Sequence, residues 1–267
     1  MPTPESVVDL AGLHVVVTRP RGQEQTLCEL IEAAGGVSLH YPVLEIEDSP
    51  QQAQLATQFQ QLAGFDLIIF ISPNAVARGM NIINAQGGLP EGLQTATVGR
   101  GSGRELKRIL GRESDIVPTK QFNSEGLLAL PAMQPMAGKR VMIVRGEGGR
   151  ELLAQTLRER GAEVEYAEVY RRSRPEVDNS TLMHAWARNE IDIIVLTSGE
   201  GLRNLYDMVG QLGRQWLRKT PILVINERLV QLARELGIDQ TPIIAAEASD
   251  NGIVAALGAW HRGKLLE

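Results

Sequence analysis

A single cysteine, Cys28, among 267 residues means that no disulfide can form within one chain. Its helical spacing with Leu27, Leu30 and Ile31 marks it as a core thiol rather than a nucleophile. Histidine is scarce as well. His14, His40, His184 and His261 are scattered, with no i, i+4 pair and no carboxylate at ligand spacing, which argues against a metal site. No apolar run reaches the roughly 18 residues of a membrane span. The first residues, MPTPESVVDL, lack a basic and apolar signal segment, so a cytosolic chain with no membrane partner is expected. The net charge of −5 provides no electrostatic footprint for duplex nucleic acid. Any anionic ligand must be held by local groups.

Acid–base and nucleophilic machinery is also sparse. Neither Ser72 nor Ser198 lies in GxSxG, and no histidine stands where a triad would need it. Asp and Glu mostly dot helix surfaces, without the carboxylate pair of glycoside chemistry. Gly99-Arg100-Gly101-Ser102-Gly103 reads GxGxG rather than GxGxxG, and Arg104 occupies the place of the third glycine. That stretch is a turn whose backbone N–H groups face an anion more readily than a dinucleotide site.

What the chain does contain is a long internal repeat. LHVVVTRPRGQEQTLCELIEAAGGVSLHYPVLEIED at Leu13–Asp48 returns 126 residues later as KRVMIVRGEGGRELLAQTLRERGAEVEYAEVYRRSR from Lys139 to Arg174. The offset aligns Arg19 with Arg145, Gly35 with Gly161 and Val43 with Val169. Without a gap it then carries FDLIIFIS at Phe65–Ser72 onto IDIIVLTS at Ile191–Ser198, and Gly126 onto Gly252. Solenoid units run only about 20–50 residues, so the chain is two homologous halves. Composition, 43% hydrophobic and 22% charged, is that of a globular protein.

Each copy reads as buried strand, turn, amphipathic helix, glycine stop and second strand, and strands alternate with helices throughout. An α/β fold with parallel sheets covered on both faces follows. Two lobes are expected, with the ligand in a cleft between them and at the carboxyl ends of strands. Ser72, Ser124, Ser198 and Ser249 with Asp250 stand where strands hand over to helices. They read as N-caps whose N–H groups and positive dipole ends suit carboxylates or phosphates. Arg19 and Arg145 add charge at matching strand ends, or are simply solvated. Tyr41–Asp48 and Ala167–Arg174 have a connector's character. Tyr170, flanked by Arg171 and Arg172, is either a packing residue or a proton donor in the cleft.

Taken together, VTRP at Val17–Pro20, SPNAV at Ser72–Val76, VG at Val98-Gly99, SEGLL at Ser124–Leu128, VRGEGGRELL at Val144–Leu153, EVYRR at Glu168–Arg172 and LTSGEGL at Leu196–Leu202 resemble the uroporphyrinogen III synthases over nearly the whole chain. The resemblance implies two flavodoxin-like parallel-sheet domains joined by a two-stranded connector. One domain is discontinuous, 1–41 with 173–267; the other is 50–166; the connector strands are 42–49 and 167–172. It also implies an enzyme without metal or organic cofactor that closes the linear tetrapyrrole hydroxymethylbilane to uroporphyrinogen III, inverting the last pyrrole and losing water. Such an enzyme acts as a monomer and leaves open hand-over from the preceding hydroxymethylbilane-forming enzyme. The implied substrate-binding residues are Arg19, Ser72, Pro73, Asn74, Gly99, Ser102, Ser124, Glu125, Gly126, Arg145, Gly146, Thr197, Ser198 and Asn226, with Tyr170 the candidate proton donor. Ser102 stands where the family usually has threonine, and Asn226 where serine or threonine is frequent. A two-lobed binding protein without catalysis is the alternative that the repeat alone would equally support.

Overall fold

The computed structural model describes residues 8–266 of the chain. In order, the chain forms β1 (His14–Val17), α1 (Gln25–Ala33), β2 (Val37–His40), β3 (Glu45–Asp48), α2 (Gln52–Phe59), β4 (Leu67–Phe70), α3 (Pro73–Ala85), β5 (Gln94–Thr97), α4 (Arg100–Leu110) and α5 (Ser124–Leu128). It continues with β6 (Arg140–Gly146), α6 (Leu152–Glu159), β7 (Glu163–Ser173), α7 (Ser180–Ala187), β8 (Ile193–Leu196), α8 (Gly199–Met208), α9 (Gly210–Lys219), β9 (Ile222–Val224), α10 (Glu227–Glu235), β10 (Ile243–Ile244) and α11 (Asp250–Leu266). No helix among the described residues is long and apolar enough to cross a membrane.

These elements form two compact units: the described residues of Met1–Glu45 with Ser173–Glu267, and Ile46–Arg172. The first holds the sheet β10-β9-β8-β1-β2, which in order of appearance is the 2-1-3-4-5 arrangement of a flavodoxin-like sheet. Its pairs are parallel. Both faces are buried, as the apolar strand runs require. Val15, Val17, Ile193 and Val195 face the layer that contains α1 and α11, while Val16, Ile194 and Leu196 face the layer with α7, α8 and α10.

The second unit holds β3-β7-β6-β4-β5, and Ile116 bridges to Ala96 beyond β5. Counting β6 first gives the same 2-1-3-4-5 order, with β3 added at the edge. Each sheet therefore takes its first two strands from one copy of the repeat and the rest from the other. Two aspartates at the repeat offset stitch this exchange: Asp66 accepts the Arg140 N–H at 2.8 Å, and Asp192 accepts the His14 N–H at 3.0 Å.

Tyr41–Asp48 and Ala167–Arg174, the stretches expected as connectors, contain β3 and the later part of β7. Tyr41 and Val43 are buried in the first core. β3 is an edge strand of the second sheet. β7 continues past residue 166 as far as Ser173, and Ala167, Val169 and Tyr170 bury in the second core.

Candidate functional site

In the second unit, a cavity of about 290 Å³ opens at the carboxyl ends of β4, β6 and β7, with Ser124, Arg145, Gly146, Arg150, Tyr166, Tyr170 and Arg172 in its wall. Tyr170 is 2% exposed. Its hydroxyl lies 3.1 Å from Ser72 Oγ, which also accepts the Ala75 N–H at 3.1 Å and so caps α3. Pro73 follows at the first helical position, where its missing N–H costs nothing. Two neighbours expected in the site lie elsewhere. Asn74 lines a separate hollow with Asp48 and Arg78, and Pro73 is exposed, beside Gly101.

Arg145 is not a free cation for a ligand. Its guanidinium donates to Glu151 at 3.0 Å, to the Gly146 carbonyl at 3.3 Å and to the Gly148 carbonyl, and lies 4.6 Å above the Tyr166 ring. It is 2% exposed, and its charge is spent on the 146–151 loop; a buried guanidinium must be paired to be tolerated. The same network acts on its partners. Tyr166, donating to Glu151 at 2.6 Å, together with Arg145 holds the Glu151 carboxyl below its ordinary range. Burial, and then that hydrogen bond, push the Tyr166 phenol up.

Ser124 does not cap α5. The cap is Asn123, whose backbone is extended and whose Oδ1 accepts the Gly126 N–H at 2.8 Å, leaving Ser124 as the first helical residue beside the cavity. Glu125 pairs with Arg150 at 2.5 Å, and that hydrogen bond holds its carboxyl below the ordinary range. Gly126 is required by packing: a Cβ there would lie 1.9 Å from the Gln121 carbonyl oxygen. The repeat partner Gly252 meets the Glu247 oxygen at 2.4 Å, the same constraint 126 residues on.

Gly99 precedes α4 with no side-chain cap, and a Cβ would meet nothing within 4 Å. The helix N-terminus behind it is therefore accessible to an anion. Ser102, in the first turn, is buried.

The first unit has its own hollow of about 650 Å³, where Ser198 and Asn226 cap α8 and α10 by accepting the Gly201 and Leu229 N–H groups at 3.0 and 3.1 Å. Arg203 and Arg228 line it. Sequence reasoning missed both, since arginines on amphipathic helices read as solvated faces. Thr197 stands half-buried at the end of β8. Arg19 pairs with Asp250 at 2.5 Å in the first turn of α11, where Ser249 accepts the Gly252 N–H at 3.1 Å. Cys28 is half-buried, and burial pushes its thiol up, as a packing thiol requires.

The family model of uroporphyrinogen-III synthase HemD matches residues 25–255. The chain is 35% identical to the uroporphyrinogen-III synthase of Escherichia coli (strain K12) over 92% of this chain and 100% of that protein. It is 34% identical to the Salmonella typhimurium protein of the same name over the same shares. The fold is similar to the crystal structure of a mutant uroporphyrinogen III synthase from the extremely thermophilic bacterium Thermus thermophilus, with TM-score 0.62 and 20% identity over 96% of this chain and all of that one. The Helicobacter pylori 26695 uroporphyrinogen-III synthetase gives TM-score 0.58 and 13% identity over the same shares. A repeat-built pair of parallel sheets, capped helix starts at their carboxyl ends and these relatives agree: the chain belongs to the uroporphyrinogen-III synthase family, enzymes of tetrapyrrole biosynthesis.

Proposed function

We propose that this chain closes hydroxymethylbilane to uroporphyrinogen III, with Tyr170 as the proton donor and the helix N-termini as the grip on the substrate's carboxylates. The observation that carries the reading is Tyr170 itself, a phenol at the wall of the 290 Å³ cavity, hydrogen-bonded at 3.1 Å to the residue that caps α3.

Loss of the hydroxyl as water needs a proton on the leaving oxygen, and a phenol at hydrogen-bond reach can supply it. The azafulvenium cation that results is attacked by the substituted carbon of the terminal ring. The spiro intermediate then fragments and recloses, and the final loss of a proton balances the one donated. None of these intermediates needs an activated nucleophile. Without a protein the cation closes to the uninverted isomer, so holding the chain for spiro attack is the larger task, and orientation is the effect that achieves it. The exposed start of α4 behind Gly99 and the starts of α8 and α10 offer N–H groups and positive dipole ends to carboxylates. Residence in the cytoplasm, action as a monomer and receipt of substrate from the hydroxymethylbilane-forming enzyme belong to the same reading.

The test is to supply the full chain with freshly made hydroxymethylbilane, oxidise the products and separate the isomers. Predominance of the inverted isomer is expected; the isomer ratio of buffer alone would refute the reading.

A further inference from the structure

Strand alternation alone would put the Tyr170 phenol on the other side of its sheet. Along β7, Val164 and Tyr166 pack with the cluster that contains α5 and α6, and Ala167 packs with the opposite cluster, beneath α2 and α3. Side chains on a strand alternate with a period of two, so Val169 should follow Ala167 and residue 170 should return to the side of Tyr166. Instead Val169 and Tyr170 both belong to the cluster beneath α3. The pairing explains why: Arg145 of β6 opposes Glu168, but the next residue, Gly146, opposes Tyr170, leaving one extra residue in β7. This is a β-bulge, a feature that re-aims a side chain.

Gly146 faces the re-aimed ring. A Cβ at this position would lie 2.5 Å from both Cε2 and Cζ of Tyr170 and 3.0 Å from Cδ2. The glycine's own backbone is not in the left-handed region, so closeness to the ring is what excludes a side chain. The repeat shows that the fold itself does not demand this pair: at the matching positions of the other unit stand Pro20 and Leu44.

We propose that Gly146 is a positioning residue for the reaction, acting through Tyr170: with the bulge opposite, its bare Cα lets the phenol seat on Ser72 Oγ. The proposal rests on Tyr170 being the proton donor. Non-bonded carbons settle at about 3.5–4.0 Å, so an alanine would push the ring back by roughly 1 Å. The ring is buried, so the hydroxyl moves with it, and a 3.1 Å hydrogen bond does not survive such a shift.

The experiment compares full-length wild type, Gly146→Ala, Tyr170→Phe and the double variant with hydroxymethylbilane, measuring kcat, KM, isomer ratio and melting temperature. Gly146→Ala is expected to lower kcat by roughly 10- to 100-fold at unchanged KM, the order of loss for about 1 Å of misplacement. Added to Tyr170→Phe it should cost nothing further, because both act on one hydroxyl. A Gly146→Ala enzyme as fast as wild type overturns the proposal while leaving the acid reading intact if Tyr170→Phe is slow. An equal loss in both backgrounds, or a raised KM alone, also overturns it. A Tyr170→Phe enzyme as fast as wild type removes the acid reading and this proposal together. If Gly146→Ala does not fold, Gly146→Ala with Tyr170→Leu, which takes the residue found at position 44, must restore a cooperative melt; failure to do so overturns the ring contact as the reason for the glycine.

Discussion

Ser72 Oγ and Tyr170 Oη meet at 3.1 Å, joining the first turn of α3 to the bulged end of β7. One serine thus both caps a helix and holds a phenol.

Cap loss separates the serines. Ser72→Ala, Ser198→Ala and Asn226→Ala each remove an acceptor of a first-turn N–H and should cost about 0.5–2 kcal/mol. Ser124→Ala should be near neutral, with the cost falling on Asn123→Ala instead. Urea unfolding of the five variants measures this; equal losses for Ser124→Ala and Asn123→Ala would contradict the assignment.

Three glycines separate packing from binding. Gly126→Ala and Gly252→Ala press a methyl onto a backbone oxygen, and overpacking of this kind costs about 1–3 kcal/mol or more. Gly99→Ala meets nothing, so its stability should stay within about 1 kcal/mol of wild type, while KM rises if a carboxylate approaches the start of α4. Melting temperatures with KM values decide; a stable Gly99→Ala enzyme with unchanged KM would mean that no ligand group comes near.

Asp192 gives an acid dependence. Burial pushes its carboxyl up, but the Lys264 hydrogen bond, the His14 N–H and the charges of Lys264 and His14 outweigh that, and the net shift is below its ordinary 3.8. A lowered folded value means that stability is present above the ordinary value and is lost as pH falls through the folded one. Asp192→Asn should therefore be less stable than wild type at pH 7, with the difference shrinking below about pH 4. Urea midpoints at pH 7, 4 and 3 check this, and a gap that widens in acid would contradict it.

The crossed strand exchange sets which fragment folds. Residues 46–172 contain one sheet except for Glu45 of β3 and Ser173 of β7 and should melt cooperatively, whereas 1–126 leaves β1 and β2 without β8. A fragment cut at 166 would lose Ala167, Val169 and Tyr170 from the core and should be weaker than 46–172. Far-UV circular dichroism melts of the three fragments test this; a cooperative 1–126 beside an unfolded 46–172 would reverse the plan.

Much of this was legible because parallel strands buried on both faces are written as apolar runs, such as Ile193–Leu196, and because the repeat keeps register over Ser72 and Ser198. Other features depend on choices that residue type leaves open. Asn123 and Ser124 are both good caps, and only backbone geometry selects the first. Arg19 and Arg145 stand at strand ends as expected, yet their charges are taken by Asp250 and Glu151, far from them in sequence or across a loop. Helix α9 gave little signal because Gly213 sits inside it, packed against Val209. The bulge that turns Tyr170 is one extra residue in a pairing, and no periodicity announces it.

In the proposed function, rate and regiochemistry have separate origins: the Tyr170 hydroxyl moves a proton, while helix N-termini and orientation choose the isomer. Steady-state turnover of Tyr170→Phe with its isomer ratio tests this most directly. Turnover should fall about 100-fold or more, further than in Ser72→Ala or Ser198→Ala, with the inverted isomer still the product. Wild-type turnover, or a slow variant that releases the uninverted isomer, would contradict it.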